Sequence, residues 1–228
     1  MNRRSFLKRS AAGVLLLEEA VRNLEGCGSA LVGYSVVYPT GVSCPPIRSD
    51  YGYGQFDIDG NRRSSFHSGV DIVAEKGSPV IAAADGEVIL AGWVSAGGNR
   101  VMIYHGVDSD GKHIYSRYSH MDELNVETGV VTLEPVKRGQ KIGIVGDTGS
   151  AMPRSRRAHL HFEVYAFNYS LVQGKKVSRF DPDATSNPHD YWLRGDNSPP
   201  DKIVILPFII GRDYPAKPIR FTYPVPCK

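Results

Sequence analysis

The sequence lacks the features that mark several large classes of protein. Its apolar stretch near the start, Ala11–Leu17, is too short to cross a bilayer, so no stable membrane span is expected in the processed protein. The formal net charge is only +3 and the basic residues are dispersed, which argues against a nucleic-acid partner. No convincing internal repeat occurs, and helix-period patterns are absent from the central part of the chain.

Glycine and proline, in contrast, are abundant, with 24 and 15 residues. Frequent turns and short strands follow from such a composition, so the sequence predicts an all-β core. Asp85-Gly86 predicts a hairpin between Val80–Ala84 and Glu87–Trp93. Further strands are expected at Arg100–Gly106, Lys112–Ser119, Lys141–Val145, His159–Tyr165 and Ile203–Ile210, with the first two of these joined through Asp108–Gly111.

The first residues are typical of an export signal. Arg3 and Arg4, followed by Ser5-Phe6-Leu7-Lys8, resemble the twin-arginine signal, and a short apolar run follows them. Gly28-Ser29-Ala30 supplies small residues for cleavage, so residues 1–30 are predicted to direct export to the periplasm or cell envelope. Glu18-Glu19 ends the apolar run early, and an amphipathic helix over residues 5–24 is the alternative.

The three cysteines allow two interpretations. Cleavage after Ala30 would remove Cys27 and leave Cys44 and Cys227, which could form a disulfide in an oxidising compartment. In a lipoprotein, Cys27 would instead be the acylated residue. Glu25, two positions before it, fits poorly with the small residues that such a signal requires.

Two short segments combine residues that bind metals. Alternation along the predicted strand His159–Tyr165 places the side chains of His159 and His161 on one face. Far upstream, His67 and Asp71 are four residues apart and share a face if the segment is extended. Two histidines and one carboxylate form a ligand set that zinc accepts, with the fourth tetrahedral position open.

These segments, with Tyr118-Ser119-His120-Met121 between them, occur in an order that resembles the lysostaphin-like (LytM-type) zinc metallopeptidases. The sequence between these motifs also resembles the family, at Gly77–Val80, Ala83–Gly86, Gly98–Val101, Val136–Gln140 and Gly146–Ser150. The resemblance covers about residues 45 to 166. It implies an all-β domain of duplicated-hybrid-motif type, in which an antiparallel sheet forms the floor of a substrate groove. It also implies an endopeptidase that acts on the cross-bridges or stem peptides of peptidoglycan.

The resemblance assigns a role to each of five residues. His67, Asp71 and His161 are expected to hold one zinc ion, and His120 and His159 are expected to be the catalytic pair. No position of the set is substituted, which argues against the alternative of a non-catalytic cell-wall-binding or hydrolase-activating module. A third reading, a biotinyl- or lipoyl-type carrier domain, is disfavoured because no suitably flanked lysine lies at a hairpin tip.

The chemistry of peptide hydrolysis is consistent with this assignment. Zinc with three protein ligands binds a water whose pKa falls to roughly 7, and it polarises the scissile carbonyl. The chain has no His-Glu-x-x-His helix, so histidine is the expected acid or base, contributing ~10²–10⁴-fold. Which histidine is the base stays open, as does the bond that is cleaved. Analogy favours a D-alanyl–diamino-acid bond over polyglycine.

Residues around the predicted site are candidates for substrate contacts. Asn99, Tyr118, Arg154 and Arg157 are expected to bind substrate, the arginines through stem-peptide carboxylates. The resemblance implies a tyrosine near the metal, and Tyr51 and Tyr53 are the alternatives to Tyr118. Glu163 shares the face of His161 and either orients a ligand imidazole or forms a surface ion pair. Three loops, at residues 61–66, 122–127 and 150–157, are predicted to wall the groove. The expected organisation is a leading segment at 31–66, a catalytic domain at 67–169 and an appended C-terminal extension at 170–228.

Overall fold

Short antiparallel strands make up almost all of the regular structure. The computed structural model describes residues 35–39, 41–168, 185–195 and 202–228. In these ranges the strands are β1 Ser35–Val37, β2 Ile47–Ser49, β3 Val70–Val73, β4 Pro79–Ile81, β5 Gly86–Val94, β6 Gly98–Val107, β7 His113–Leu124, β8 Gly129–Val136, β9 Lys141–Val145, β10 His159–Phe167, β11 Thr185–Ser186 and β12 Lys202–Val204. A 3₁₀ turn at Pro188–Asp190 is the helical element of these ranges, and the predicted all-β class is confirmed.

The main sheet places β10 between β3 and β7. Its strand order is β2-β3-β10-β7-β6-β5-β8, and β9 joins both β4 and β7. The predicted hairpin of β6 and β7 is confirmed, but the predicted hairpin of Val80–Ala84 with Glu87–Trp93 is wrong. β4 pairs with β9, while β5 pairs with β6 and β8. The backbone of Ala82 is already hydrogen-bonded to the turn before β9. Its N–H donates to the carbonyl of Gln140, and its carbonyl accepts from the N–H of Gly139.

The core lies against the face of β10 formed by Leu160, Phe162 and Val164, which are all fully buried. The C-terminal part of the chain completes this core. Trp192 stacks on Phe162 with ring centroids 5.2 Å apart, and Phe221 meets the same ring at 5.8 Å. Burying one such side chain is worth about 1.5–3 kcal/mol. The prediction of an appended C-terminal extension was therefore wrong: the described part of residues 170–228 belongs to the same core as the sheet.

Cys44 and Cys227 join the two ends of the described chain in a disulfide, with Cα atoms 4.3 Å apart and a sequence separation of 183 residues. The neighbouring residues Ser43 and Lys228 exchange two backbone hydrogen bonds, each 2.8 Å long. The structure thus contains the disulfide expected from the cysteine count. By the chain-entropy relation, closing a loop of this length contributes about 5 kcal/mol.

The predicted export signal, residues 1–30, lies outside the described residues, and export stays a prediction. Within the described ranges, no helix is long and apolar enough to cross a membrane.

Candidate metal centre

The register of three strands brings the predicted ligands together. His161 on β10 lies directly opposite Asp71 on β3 and Ser119 on β7. His67 precedes β3 and is fixed by a bridge to Gly52, in which their backbones exchange hydrogen bonds of 2.9 and 3.0 Å. Because His161 and Phe162 point to opposite faces of the strand, the ligand cluster lies on the face of the sheet away from the aromatic core.

The three ligand atoms converge on one point. Nε2 of His67 is 3.1 Å from Nδ1 of His161 and 3.2 Å from Oδ1 of Asp71. Nδ1 of His161 is 2.8 Å from the same carboxylate oxygen. A tetrahedral ion with bonds of about 2.0–2.1 Å separates its ligand atoms by roughly 3.3 Å. The described cluster is therefore close to the geometry that a small tetrahedral cation requires.

The outer atoms of two ligands are already engaged. Nδ1 of His67 lies 2.6 Å from the carbonyl oxygen of Asp50, which can only accept, so the imidazole carries its proton on Nδ1. Its Nε2 lone pair then points into the cluster. Asp71 accepts a hydrogen bond from Nη2 of Arg63 at 2.6 Å through Oδ2, which leaves Oδ1 for a metal. Such outer partners orient metal ligands in proteins.

Glu163 supports the third ligand. Its Oε1 is 3.4 Å from Nε2 of His161 and accepts from the Ser68 hydroxyl at 2.6 Å. Arg117 forms an ion pair with the same carboxylate, donating from Nη2 at 2.6 Å. Burial disfavours ionisation of Glu163, but the charges of Arg117 and His161 together with their hydrogen bonds outweigh it and hold the pKa of Glu163 well below its usual range. Glu163 thus lies beside a ligand imidazole, as the first of the two alternatives predicted, and its ion pair with Arg117 is buried and not at the surface.

The electrostatics of the cluster favour a positive charge. Burial by itself lowers the pKa of His161, but the charge of Glu163 and the hydrogen bond with Asp71 raise that pKa to about 9. Two carboxylates therefore stabilise a cation at this position, whether it is a proton on the imidazole or a metal ion. The donor set and its charge both fit a divalent cation.

His120 and His159 lie beside the cluster with ring centroids 4.8 Å apart. Each has Nδ1 against a backbone carbonyl oxygen, that of Thr148 at 2.8 Å for His120 and that of Arg157 at 2.9 Å for His159. Nδ1 therefore carries the proton and Nε2 is an acceptor in both rings. Burial, reinforced by the neighbouring imidazoles, lowers the pKa of His120 to about 3, and burial also lowers the pKa of His159. Both rings are neutral proton acceptors at neutral pH.

A β-bulge turns His120 towards the groove. The pairing of β6 with β7 shifts between Asn99 and Val101, so that Ser119 and His120 together stand opposite Arg100. His120 has a φ of 65°, a conformation that is uncommon for residues other than glycine and that recurs at functional sites. Regular alternation would have placed this side chain on the core face of β7.

A groove of about 400 Å³ runs over this face of the sheet and contains all five residues of the predicted site. Two of the predicted loops line this groove. The first contributes Arg63, Ser65 and Phe66, and the second contributes Ala151–Pro153. The third predicted wall, 122–127, is wrong, because Asn125 donates to the carbonyl of Ile142 along β9 instead. The turn between β5 and β6, at Val94, Ala96 and Gly97, takes its place.

One predicted substrate contact is contradicted by the structure. Tyr118 is fully buried in the core, where its hydroxyl accepts from the N–H of Ala83 at 2.9 Å and its ring packs on Phe162. It lies on the face of β7 opposite the groove. Asn99 donates from Nδ2 to the carbonyl of Asp122 at 2.8 Å, and its contact with substrate stays a prediction.

The arginines around the site differ from those predicted. Arg154 does not line the groove, and Arg157 lines a separate cavity near the disulfide, so their contact with substrate stays a prediction. Sequence reasoning missed Arg63, Arg100 and Arg117, which do line the groove. Alternation along the strand could have identified Arg117 as a groove residue, since it is two residues before Ser119 and lies on the same face of β7.

The all-β sheet presents a His–Asp–His cluster that could hold a metal ion beside two neutral histidines, an arrangement of the kind that metal-dependent hydrolases use. Residues 65–178, half of the chain, match the profile of peptidase family M23, and the chain belongs to this family.

Named relatives agree with this assignment. The chain is 36% identical over 124 residues to glycyl-glycine endopeptidase ALE-1 of Staphylococcus capitis, covering 54% of this chain and 30% of that protein. It is 38% identical over 103 residues to peptidoglycan DD-endopeptidase ShyB of Vibrio cholerae, covering 45% of this chain and 21% of that protein. The chain thus spans less than a third of the length of either relative. The solved catalytic domain of lysostaphin from Staphylococcus simulans is 28% identical, with a TM-score of 0.44, over 63% of this chain and 90% of that domain.

Proposed function

We propose that this protein is a zinc-dependent endopeptidase that hydrolyses peptide bonds in peptidoglycan. The observation that carries the proposal is the convergence of His67, Asp71 and His161 beside the acceptor pair of His120 and His159. The family supports it, since the named relatives are peptidoglycan DD- and glycyl-glycine endopeptidases. The corresponding place of action is the periplasm or cell envelope, where this polymer is found.

Zinc suits the ligand set better than magnesium or calcium. Two imidazole nitrogens and one carboxylate oxygen form a borderline donor set, whereas magnesium and calcium prefer oxygen ligands alone. His67, Asp71 and His161 would hold one ion per chain. When bound, zinc lowers the pKa of a water molecule and polarises a carbonyl group, the Lewis-acid chemistry that amide hydrolysis needs.

The chain itself supplies the proton acceptors. Nε2 of His159 is 3.8 Å from Oδ1 of Asp71, so this acceptor is directed at the ligand cluster. His159 is therefore placed to take a proton from the attacking water. His120 faces it and provides a second acceptor. Either ring, once protonated, becomes a donor for the leaving amine, and such acid–base catalysis contributes ~10²–10⁴-fold.

The geometry of the groove leaves the cleaved bond to experiment, because the two named relatives are named for different bonds. Purified protein is incubated with isolated sacculi, and the released muropeptides are identified by mass spectrometry. Metal content is measured on the same sample. Release of peptide-bond cleavage products that stops on chelation and returns with zinc supports the proposal. Zinc binding without any release would indicate a non-catalytic wall-binding module instead.

A further inference from the structure

Arg100 is a partly buried cation that lacks an anionic partner within the described part of the chain. Its Nε atom is buried and has no hydrogen-bond partner, and its guanidinium forms no ion pair there. The other arginines of the groove are paired. Arg63 contacts Asp71 at 2.6 Å, and Arg117 contacts Glu163 at 2.6 Å. Arg100 therefore differs from its neighbours in having no ion-pair partner there and an N–H donor, on Nε, without an acceptor.

The location of Arg100 is next to the catalytic pair. It stands opposite the bulge that carries Ser119 and His120, and it lines the same groove. A Cβ atom placed on Gly97 would lie 3.4 Å from the Ser119 hydroxyl and 3.9 Å from Cδ of Arg100. The stem of Arg100 thus runs along the groove floor beside Ser119, one residue from His120.

The surroundings of Arg100 favour an anion that comes from outside. Burial lowers the pKa of Arg100, and the neighbouring charge of Arg117 lowers it further. Glu163, whose charge acts on Arg100, is already used by Arg117 and Ser68. A partly buried guanidinium with an unsatisfied N–H is costly, and a carboxylate, which accepts two parallel N–H bonds, matches the donor geometry of a guanidinium best.

We propose that Arg100 binds a carboxylate of the substrate, and that the enzyme therefore prefers acidic stem peptides to neutral glycine bridges. A stem peptide carries free carboxylates close to its peptide bonds, whereas a glycine bridge offers only amides at the corresponding distance. The inference rests on the proposed endopeptidase function and specifies its substrate class. Arg100 is a specificity residue in this view and takes no part in the chemical step.

The proposal is tested with two synthetic stem peptides that differ in one group. One peptide carries a carboxylate, and the other carries the matching carboxamide. The wild-type protein should cleave the acid with a kcat/KM ~10–100-fold above that of the amide, as expected for one charge-assisted hydrogen-bonded pair. Arg100→Gln should remove this preference and leave cleavage of the amide and the zinc content unchanged. Arg100→Lys should retain part of it, because lysine keeps the charge but not the two-pronged geometry.

Arg48→Gln is the matched control, since it removes an exposed arginine on β2 that does not line the groove and should keep the full preference. Equal rates on the two peptides in the wild type, or a preference that survives Arg100→Gln, would overturn the assignment. Calorimetric binding of both peptides to the same variants measures the preference even if neither is cleaved. Failure to cleave with retained selective binding would refute the endopeptidase function while supporting the role of Arg100.

Discussion

Nε2 of His67 lies 3.1 Å from Nδ1 of His161, although 94 residues separate the two histidines in the sequence. The outer nitrogen of His67 carries the proton, so its inner lone pair faces the other ring at this short distance. The short distance therefore requires a positive charge at the cluster, which is either the proton that the raised pKa of His161 keeps on its ring or a bound metal ion.

The first prediction concerns metal retention. His67→Ala, Asp71→Ala and His161→Ala should each reduce bound zinc far below one ion per chain, because each removes one of three protein ligands. Inductively coupled plasma mass spectrometry of the purified variants measures the zinc content per chain. His113→Ala, which changes a histidine beside Tyr104 on the β6–β7 hairpin, should keep full occupancy. Full zinc occupancy in the three ligand variants would disprove the site.

The second prediction separates chemistry from metal binding. His120→Ala and His159→Ala should each lower muropeptide release by at least ~100-fold while zinc stays bound, because each removes a neutral acceptor beside the ligands. The double variant should lose little more than either single one, since both rings act on one reaction. Loss of zinc from the His159 variant would show that the roles of His159 and His161 are exchanged.

Tyr118 provides a test of a core residue that sequence reasoning placed in the site. Tyr118→Phe leaves the buried N–H of Ala83 without its acceptor, which should destabilise the fold by about 1–3 kcal/mol. The KM for substrate should not change, because the hydroxyl lies on the opposite face of the sheet from the groove. Urea unfolding and steady-state kinetics on the same preparation measure both effects. A raised KM with unchanged stability would contradict the assignment to the core.

His105 should make the fold sensitive to acid. Burial lowers the pKa of His105 to about 4, against an ordinary value of 6.5. Between these pH values the unfolded chain binds a proton that the folded chain does not, so His105 stabilises the fold above about pH 6.5 and this contribution is lost as the pH falls towards 4. His105→Gln should therefore flatten the pH dependence of the unfolding free energy in this interval. An identical slope in the variant and the wild type would refute the prediction.

The disulfide should contribute strongly to stability. Replacing Cys44 and Cys227 together by alanine should cost about 2–5 kcal/mol, because the loop that the bond closes is long. Guanidinium unfolding with and without reductant provides the measurement. Reductant should destabilise the wild type and leave the double variant unaffected. Equal stability of the two proteins without reductant would show that the bond adds nothing.

The sequence allowed the strand β10 and its two histidines on one face to be predicted, because alternation is a local property. The choice of His67, Asp71 and His161 as the ligand set followed from the family resemblance. The bulge at His120 could not be predicted from alternation, since one inserted residue reverses the faces that follow it. Tyr118 was wrongly assigned to the groove because the resemblance implied a tyrosine near the metal, whereas this side chain, before the bulge, points into the core beside Phe162. The partner of β4 was also missed, since Asp85-Gly86 resembles a hairpin turn while long-range backbone bonds decide the pairing.

Phe221 and Tyr223 are fully buried in the core that Phe162 shares. They follow the strands of the main sheet in the sequence, so during synthesis one side of the sheet lacks part of its cover until these residues have left the ribosome. A nascent chain arrested before residue 219 should accordingly remain sensitive to protease, whereas a chain that includes both residues should become resistant.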